Sequence, residues 1–301
     1  MKMKVKTIAL AALALAAFAS CKSEYETLLS SNDVDAKYKA AMEYFNNRKY
    51  LKAAQLFESM AVLTNGTERD DTVQYYWGLS NYRYKDYYTA ESNFEKFITN
   101  YPRSPFTPDA RFLRLDCLYR ATYRWELDQT PTRNCLAYIV EYVQEYPGDN
   151  PHLEACHQMM VDLKDRLDRK AYENAKLYYK MEDYPAARIA LKNVLKDNAE
   201  NAYREDVLYY TAMASYHYAR LSTAAKQKER YLTFVDDYLN FVGEYPESKY
   251  RHELDAMYRR CQRALGRYEG TDEELEMKAK DFEKERKAME KESKKNETPA
   301  R

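Results

Sequence analysis

The chain has 301 residues, 48 of them Lys or Arg and 48 Asp or Glu, so its formal net charge is zero. That balance argues against a nucleic-acid partner, whose ligands gather a basic excess on one face. A charged fraction of 32% with only 6 Gly and 9 Pro describes a helix-rich, loop-poor protein.

Residues 1–20 read as a targeting leader. Lys2, Lys4 and Lys6 precede an unbroken apolar run from Ile8 to Ala19, too short to span a bilayer as a helix. The run stops at Phe18-Ala19-Ser20-Cys21, with polar residues directly after it. This arrangement resembles a bacterial lipobox, in which Cys21 would be acylated and become the mature N-terminus. The alternative is an ordinary signal peptide with an incidental cysteine. Phe18 stands where Leu is usual, and looser lipoboxes of this kind resemble those of the Bacteroidetes. Lys22 at the following position resembles an outer-membrane address. Residues 21–31 are then a lipidated linker.

From residue 32 the sequence repeats. Aromatics recur at Tyr38, Tyr75, Phe112, Tyr172 and Tyr209, and again seven residues on at Phe45, Tyr82, Tyr119, Tyr179 and Tyr216. Between them stand Ala41, Gly78, Ala175 and Ala212, with Leu115 the exception. A second helical pattern follows each, and three copies end alike: FEKFITNYP (94–102), IVEYVQEYP (139–147) and YLNFVGEYP (238–246). Proline lacks the amide and disfavours helix before it, so Tyr-Pro marks a helix end. Each copy is a helical hairpin whose apolar face is too wide to bury alone, so hairpins must stack.

Five hairpins are expected at 32–66, 69–103, 106–148, 166–200 and 203–247, with 151–165 as extra helix. They form N-terminal repeats (32–148) and C-terminal repeats (149–268). Thr107-Pro108-Asp109 and Asn150-Pro151 read as helix starts with an N-cap side chain before proline. Asp128 to Pro131 signals a loop, and Ala219–Arg230 reads as a longer exposed connection. Lys249–Tyr268 carries Leu254, Met257, Tyr258, Cys261 and Leu265 at helical spacing, as a capping helix would. Residues 269–301 are a charged tail. Leu275, Phe282 and Met289 fall one heptad apart in it, but three positions make no coiled coil, and a fraying solvated helix is the plainer reading.

Chemistry is hard to find. There is no Walker loop, no G-x-S-x-G and no H-E-x-x-H. His152, Cys156 and His157 put metal-capable side chains near one another, but nothing is spaced to complete a site. No catalytic residue, metal or cofactor is expected. Cys117, Cys135, Cys156 and Cys261 sit among apolar helical residues, as small buried hydrophobes; a Cys117–Cys135 bridge is the alternative.

The small residue, the turn tyrosine, the Ala and Phe of the second helix and the terminal proline together resemble the tetratricopeptide repeat. The implied fold class is all-α, a right-handed tetratricopeptide superhelix of about five hairpins plus a capping helix. With the lipobox, and most specifically in residues 86–105 (DYYTAESNFEKFITNYPRSP), the chain resembles the BamD family, lipoproteins of the outer-membrane β-barrel assembly machinery. The resemblance implies a lipid-anchored scaffold on the periplasmic face of the outer membrane. Its implied partners are the POTRA region of BamA and unfolded outer-membrane β-barrel precursors. Two other classes stay open: a SusD-type glycan-binding lipoprotein, whose relatives are much longer, and a generic periplasmic adaptor.

On this reading Tyr38, Phe45, Tyr75 and Tyr82 would line a groove for an extended peptide. Leu79, Arg83 and Arg120 would flank it, the arginines holding a terminal carboxylate. The competing reading is that the rings seal the seam between hairpins, since all five copies carry them.

Overall fold

The computed structural model describes residues 24–148, 150–267 and Lys284. Cys21, the leader and the tail beyond 267 lie outside these residues, Lys284 apart. Among the described residues every regular element is an α-helix. In chain order these are α1 (Glu24–Leu29), α2 (Val34–Asn46), α3 (Tyr50–Ala61), α4 (Asp70–Tyr84), α5 (Tyr87–Asn100) and α6 (Thr107–Arg120). There follow α7 (Thr130–Glu145), α8 (Leu153–Lys180), α9 (Tyr184–Asp197), α10 (Arg204–Arg220), α11 (Ala224–Glu244) and α12 (Arg251–Ala264). The chain forms two compact units, one ending at Leu163 and the other beginning at Lys164, within α8.

The hairpins are α2/α3, α4/α5, α6/α7, α8/α9 and α10/α11, and α12 is the capping helix. The expected repeat fold is present. The Tyr-Pro ends behave as their chemistry requires: Tyr101, Tyr146 and Tyr245 are the C-cap residues of α5, α7 and α11, each leaving helical geometry just before proline. Three of the turns inside hairpins are closed by a non-glycine residue at positive φ, namely Arg48, Lys85 and Glu182. Asp86 and Asp183 then cap the next helix through bonds from the Thr89 and Ala186 amides.

In the first unit, Ala53 and Ala90 are fully buried where α3 and α5 meet their partners. Gly78 allows a close approach of α4 to α5: a Cβ there would lie 2.9 Å from the Phe94 ring. Each cluster of buried side chains takes one hairpin plus the first helix of the next. Phe57 and Met60 thus share a core with Val73, and Phe94 and Phe97 with Ala110 and Leu113. Full burial of such side chains contributes about 1.5–3 kcal/mol apiece. In the second unit α12 closes the last core, burying Leu254 and Cys261 against Phe234 and Phe241.

Four segments differ from their sequence reading. Residues 24–29, in the stretch expected as linker, form α1. The extra helix expected at 151–165 is continuous with the next first helix, as the 28-residue α8. Ala219–Arg230 is not a long loop: α10 runs to Arg220 and α11 starts at Ala224, because its polar residues include no Gly or Pro to stop a helix. Thr107 is the first residue of α6, not its cap, and its hydroxyl donates to the Tyr101 carbonyl at 2.6 Å. Asn150 does act at a helix entry, its Oδ1 accepting from the His152 amide at 2.9 Å.

Candidate functional site

The aromatic positions of the first unit are organised by a register. Asp35 pairs with Arg69, Tyr75 donates to Asp109 and Tyr82 donates to Asp116, each pair 34 residues apart. Successive first helices α2, α4 and α6 therefore run parallel and in step.

Within that register Tyr75 lies in the seam between hairpins and presents no free face. It is 5% exposed, stacks on Phe106 at 4.5 Å between centroids, and gives its hydroxyl to the Asp109 carboxylate. Tyr82 is half-buried, edge-on to Tyr87, and its hydroxyl meets Asp116 Oδ2 at 2.6 Å. Tyr38 packs edge-on against Phe57, with the Arg69 guanidinium 5.8 Å from its ring. Phe45 sits between Tyr50 and Tyr76. Leu79 packs with Tyr75 and Tyr82 in the second core, while Tyr38 and Phe45 belong to the first, and Tyr76 touches both. All seven positions are thus in one unit, and the five apolar or aromatic ones divide between two neighbouring clusters.

The two arginines differ. The Arg120 Nε is committed to Asp116 Oδ2 at 2.5 Å, and its guanidinium lies 5.0 Å from the Tyr87 ring. Arg83 is exposed and makes no hydrogen bond or ion pair among the described residues. Of the pair expected to hold a carboxylate, Arg83 is the one with its donors uncommitted.

Electrostatics follow from burial. Desolvation, then the bond to Asp116, pushes the Tyr82 phenol up to about 12. Burial, then Asp109, pushes Tyr75 higher still. Both phenols therefore stay protonated and act as donors. A buried phenol without an acceptor would be costly, so Asp109 and Asp116 are as much part of the seam as the rings. The sequence reading placed Asp109 only in a helix start and did not single out Asp116, although their 34-residue offset from Tyr75 and Tyr82 is a usable signal.

In the second unit the charged feature is Asp237. It accepts from Arg188 Nε at 2.6 Å, from Lys192 at 2.8 Å and from Ser215. Burial raises its pKa, but these bonds outweigh it and hold the carboxyl below its ordinary range. Beside it lies a cavity of about 440 Å³ lined by Lys192, Lys196, Arg204, Thr211 and Asn240. Asp237 is fully engaged, so this is a paired charge cluster and no acid–base device.

His152 stacks on Phe112 at 3.8 Å and meets Asp109 Oδ1 through Nε2 at 3.1 Å, while Cys156 is buried. Among the described residues no group of His, Cys, Asp and Glu is placed to hold a metal ion. Cys117, Cys135, Cys156 and Cys261 are all buried, and no disulfide joins them. No described helix is long and apolar enough to cross a membrane.

Among solved structures, the chain is similar to the TPR2AB-domain:pHSP90-complex of yeast Sti1, at 13% identity and a TM-score of 0.39, covering 83% of this chain and 98% of that chain. No curated protein matches the sequence. The model of the family YfiO, described as outer membrane lipoprotein, matches residues 30–232. That span takes in four hairpins and much of the fifth, and the chain belongs to the YfiO family of outer membrane lipoproteins.

Proposed function

We propose that this chain is a lipid-anchored scaffold of the outer-membrane β-barrel assembly machinery. It binds the POTRA region of BamA and unfolded barrel precursors, facing the periplasm from an acyl anchor on Cys21. The observation that carries this reading is the family match across residues 30–232. The hairpins support it, because they expose long helix faces. The protein acts by binding. Its loose lipobox fits a Bacteroidetes-like source.

The precursor site belongs on the surface around Leu79, Tyr82, Arg83 and Arg120, bordered by Tyr38 and Phe45. Tyr75 supports it from within the seam. Arg83 supplies the uncommitted cation for a peptide carboxylate, and the partly exposed rings supply apolar contact with a polar rim.

The test is capture from detergent-solubilised envelope with the acylated protein as bait. BamA is the expected co-purifying protein. Recovery of a TonB-dependent transporter in its place would assign a SusD-type role, and recovery of neither would reduce the reading to a generic adaptor.

A further inference from the structure

In the first unit the parallel register of α2, α4 and α6 brings the turns that close the first three hairpins to one edge. α1 begins at that same edge. The Tyr25 hydroxyl donates to Gln55 Oε1 at 2.7 Å, its ring meets Tyr44 edge-on, and the Lys52 ammonium lies 4.9 Å from its centroid. Tyr44 is in the last turn of α2 and Lys52 in the first turn of α3, so Tyr25 stands beside the first hairpin's turn. The other end of α1 is clamped at the far end of the hairpin. There Lys37, 2% exposed, donates to the Leu29 carbonyl and to Ser59 Oγ, both at 3.0 Å. Only Lys22 and Ser23 separate Glu24 from Cys21. An acyl group on Cys21 is therefore tied closely to this edge.

The chemistry of the turns matches a lipid surface. The first turn exposes Arg48, Lys49 and Lys52. The second exposes Arg83 and Lys85 beside Tyr84 and Tyr88, the last of them 90% exposed. The third exposes Tyr123, Arg124 and Leu127. Acidic residues are interspersed with them: Glu24 and Glu26 open α1, Glu43 lies in the last turn of α2, Asp86 caps α5, and Glu126 and Asp128 lie in the third turn, so the edge carries both signs. Tyrosine is enriched at membrane–water interfaces, where ring and hydroxyl meet different solvents. Basic side chains within a Debye length of anionic headgroups are drawn to them.

We propose that this turn edge rests on a phospholipid surface, with Tyr84 and Tyr88 at headgroup level and Arg48, Lys49 and Lys85 among the lipid phosphates. The inference rests on the lipoprotein reading only for the position of the anchor.

The test uses the full acylated protein with vesicles of phosphatidylethanolamine and phosphatidylglycerol, and vesicles of phosphatidylcholine for comparison. The described native cysteines are buried, so Tyr88→Cys can be labelled selectively with a polarity-sensitive dye. Arg103→Cys, exposed between α5 and α6 at the opposite edge, is the control. The Tyr88 label should shift to the blue on the anionic vesicles and the Arg103 label should not. Arg48→Glu combined with Lys85→Glu should raise the lipid concentration needed for the shift by about tenfold or more, while flotation with vesicles is retained.

A protein that floats with an unshifted Tyr88 label would overturn the edge and leave the anchor standing. A protein that fails to float would overturn the anchor. The Tyr88 shift on titrating anionic vesicles would then still read the edge, and its absence would reject it. A Tyr88 shift given by a barrel C-terminal peptide and not by vesicles would reassign the edge to peptide binding.

Discussion

Tyr75 and Tyr82 sit seven residues apart on one helix, yet their truncation should read out differently. Tyr75 fills the seam, so Tyr75→Ala should cost about 3–5 kcal/mol in thermal or denaturant unfolding. Tyr82→Phe keeps the ring and removes only the bond to Asp116, at about 1 kcal/mol, and leaves Asp116 paired with Arg120. If Tyr75→Ala melts like the parent and weakens binding of a barrel C-terminal peptide, the ring belongs to the groove after all. The same phenols set an alkaline limit. The Tyr82 pKa rises on folding from the ordinary 10.0 to about 12. A pKa raised in the folded state contributes stability that is complete below pH 10 and is lost as pH climbs toward 12. Tyr75 and Tyr209 are shifted in the same direction, chiefly by burial. Unfolding measured between pH 9 and 12, a window of about two to three units around these values, should show stability falling steadily, with a smaller slope in Tyr82→Phe. A flat profile would mean the phenols are not held protonated.

At the scale of the helices, Gly78 is the position where packing overrides propensity. Alanine is favoured over glycine in a helix by about 1 kcal/mol, but its Cβ would meet Phe94 at 2.9 Å. Overpacking of this kind costs about 1–3 kcal/mol, so Gly78→Ala should be neutral to destabilising in chemical denaturation. A clear gain in stability would show that the hairpin can open without penalty. The helices themselves were legible because each repeat states its own boundaries. Tyr-Pro marks the end of the second helix, and Arg48, Lys85 and Glu182 mark the turn inside the hairpin. What escaped was set by tertiary contact. α1 is six residues long, too short to be stable alone, and it is held by Lys37, Tyr25 and the first core. The Asp109 and Asp116 partners are likewise invisible to helical periodicity, since they depend on the 34-residue step between neighbouring hairpins. Arg120 looked available for a ligand because a sequence does not show that Asp116, one turn before it, is buried and turned toward it.

At the scale of the molecule, the chain is built of hairpins that expose helix faces, and it belongs to a family of outer membrane lipoproteins. On the proposed function, one such chain joins BamA to a barrel precursor. The most direct measurement is titration calorimetry of the acylated protein in detergent with the purified POTRA region of BamA. It is then repeated in the presence of a saturating barrel C-terminal peptide. Both ligands should bind and the POTRA affinity should survive saturation, with Arg83→Glu weakening the peptide and sparing the POTRA region. Absence of POTRA binding would rule this function out, whatever the peptide does.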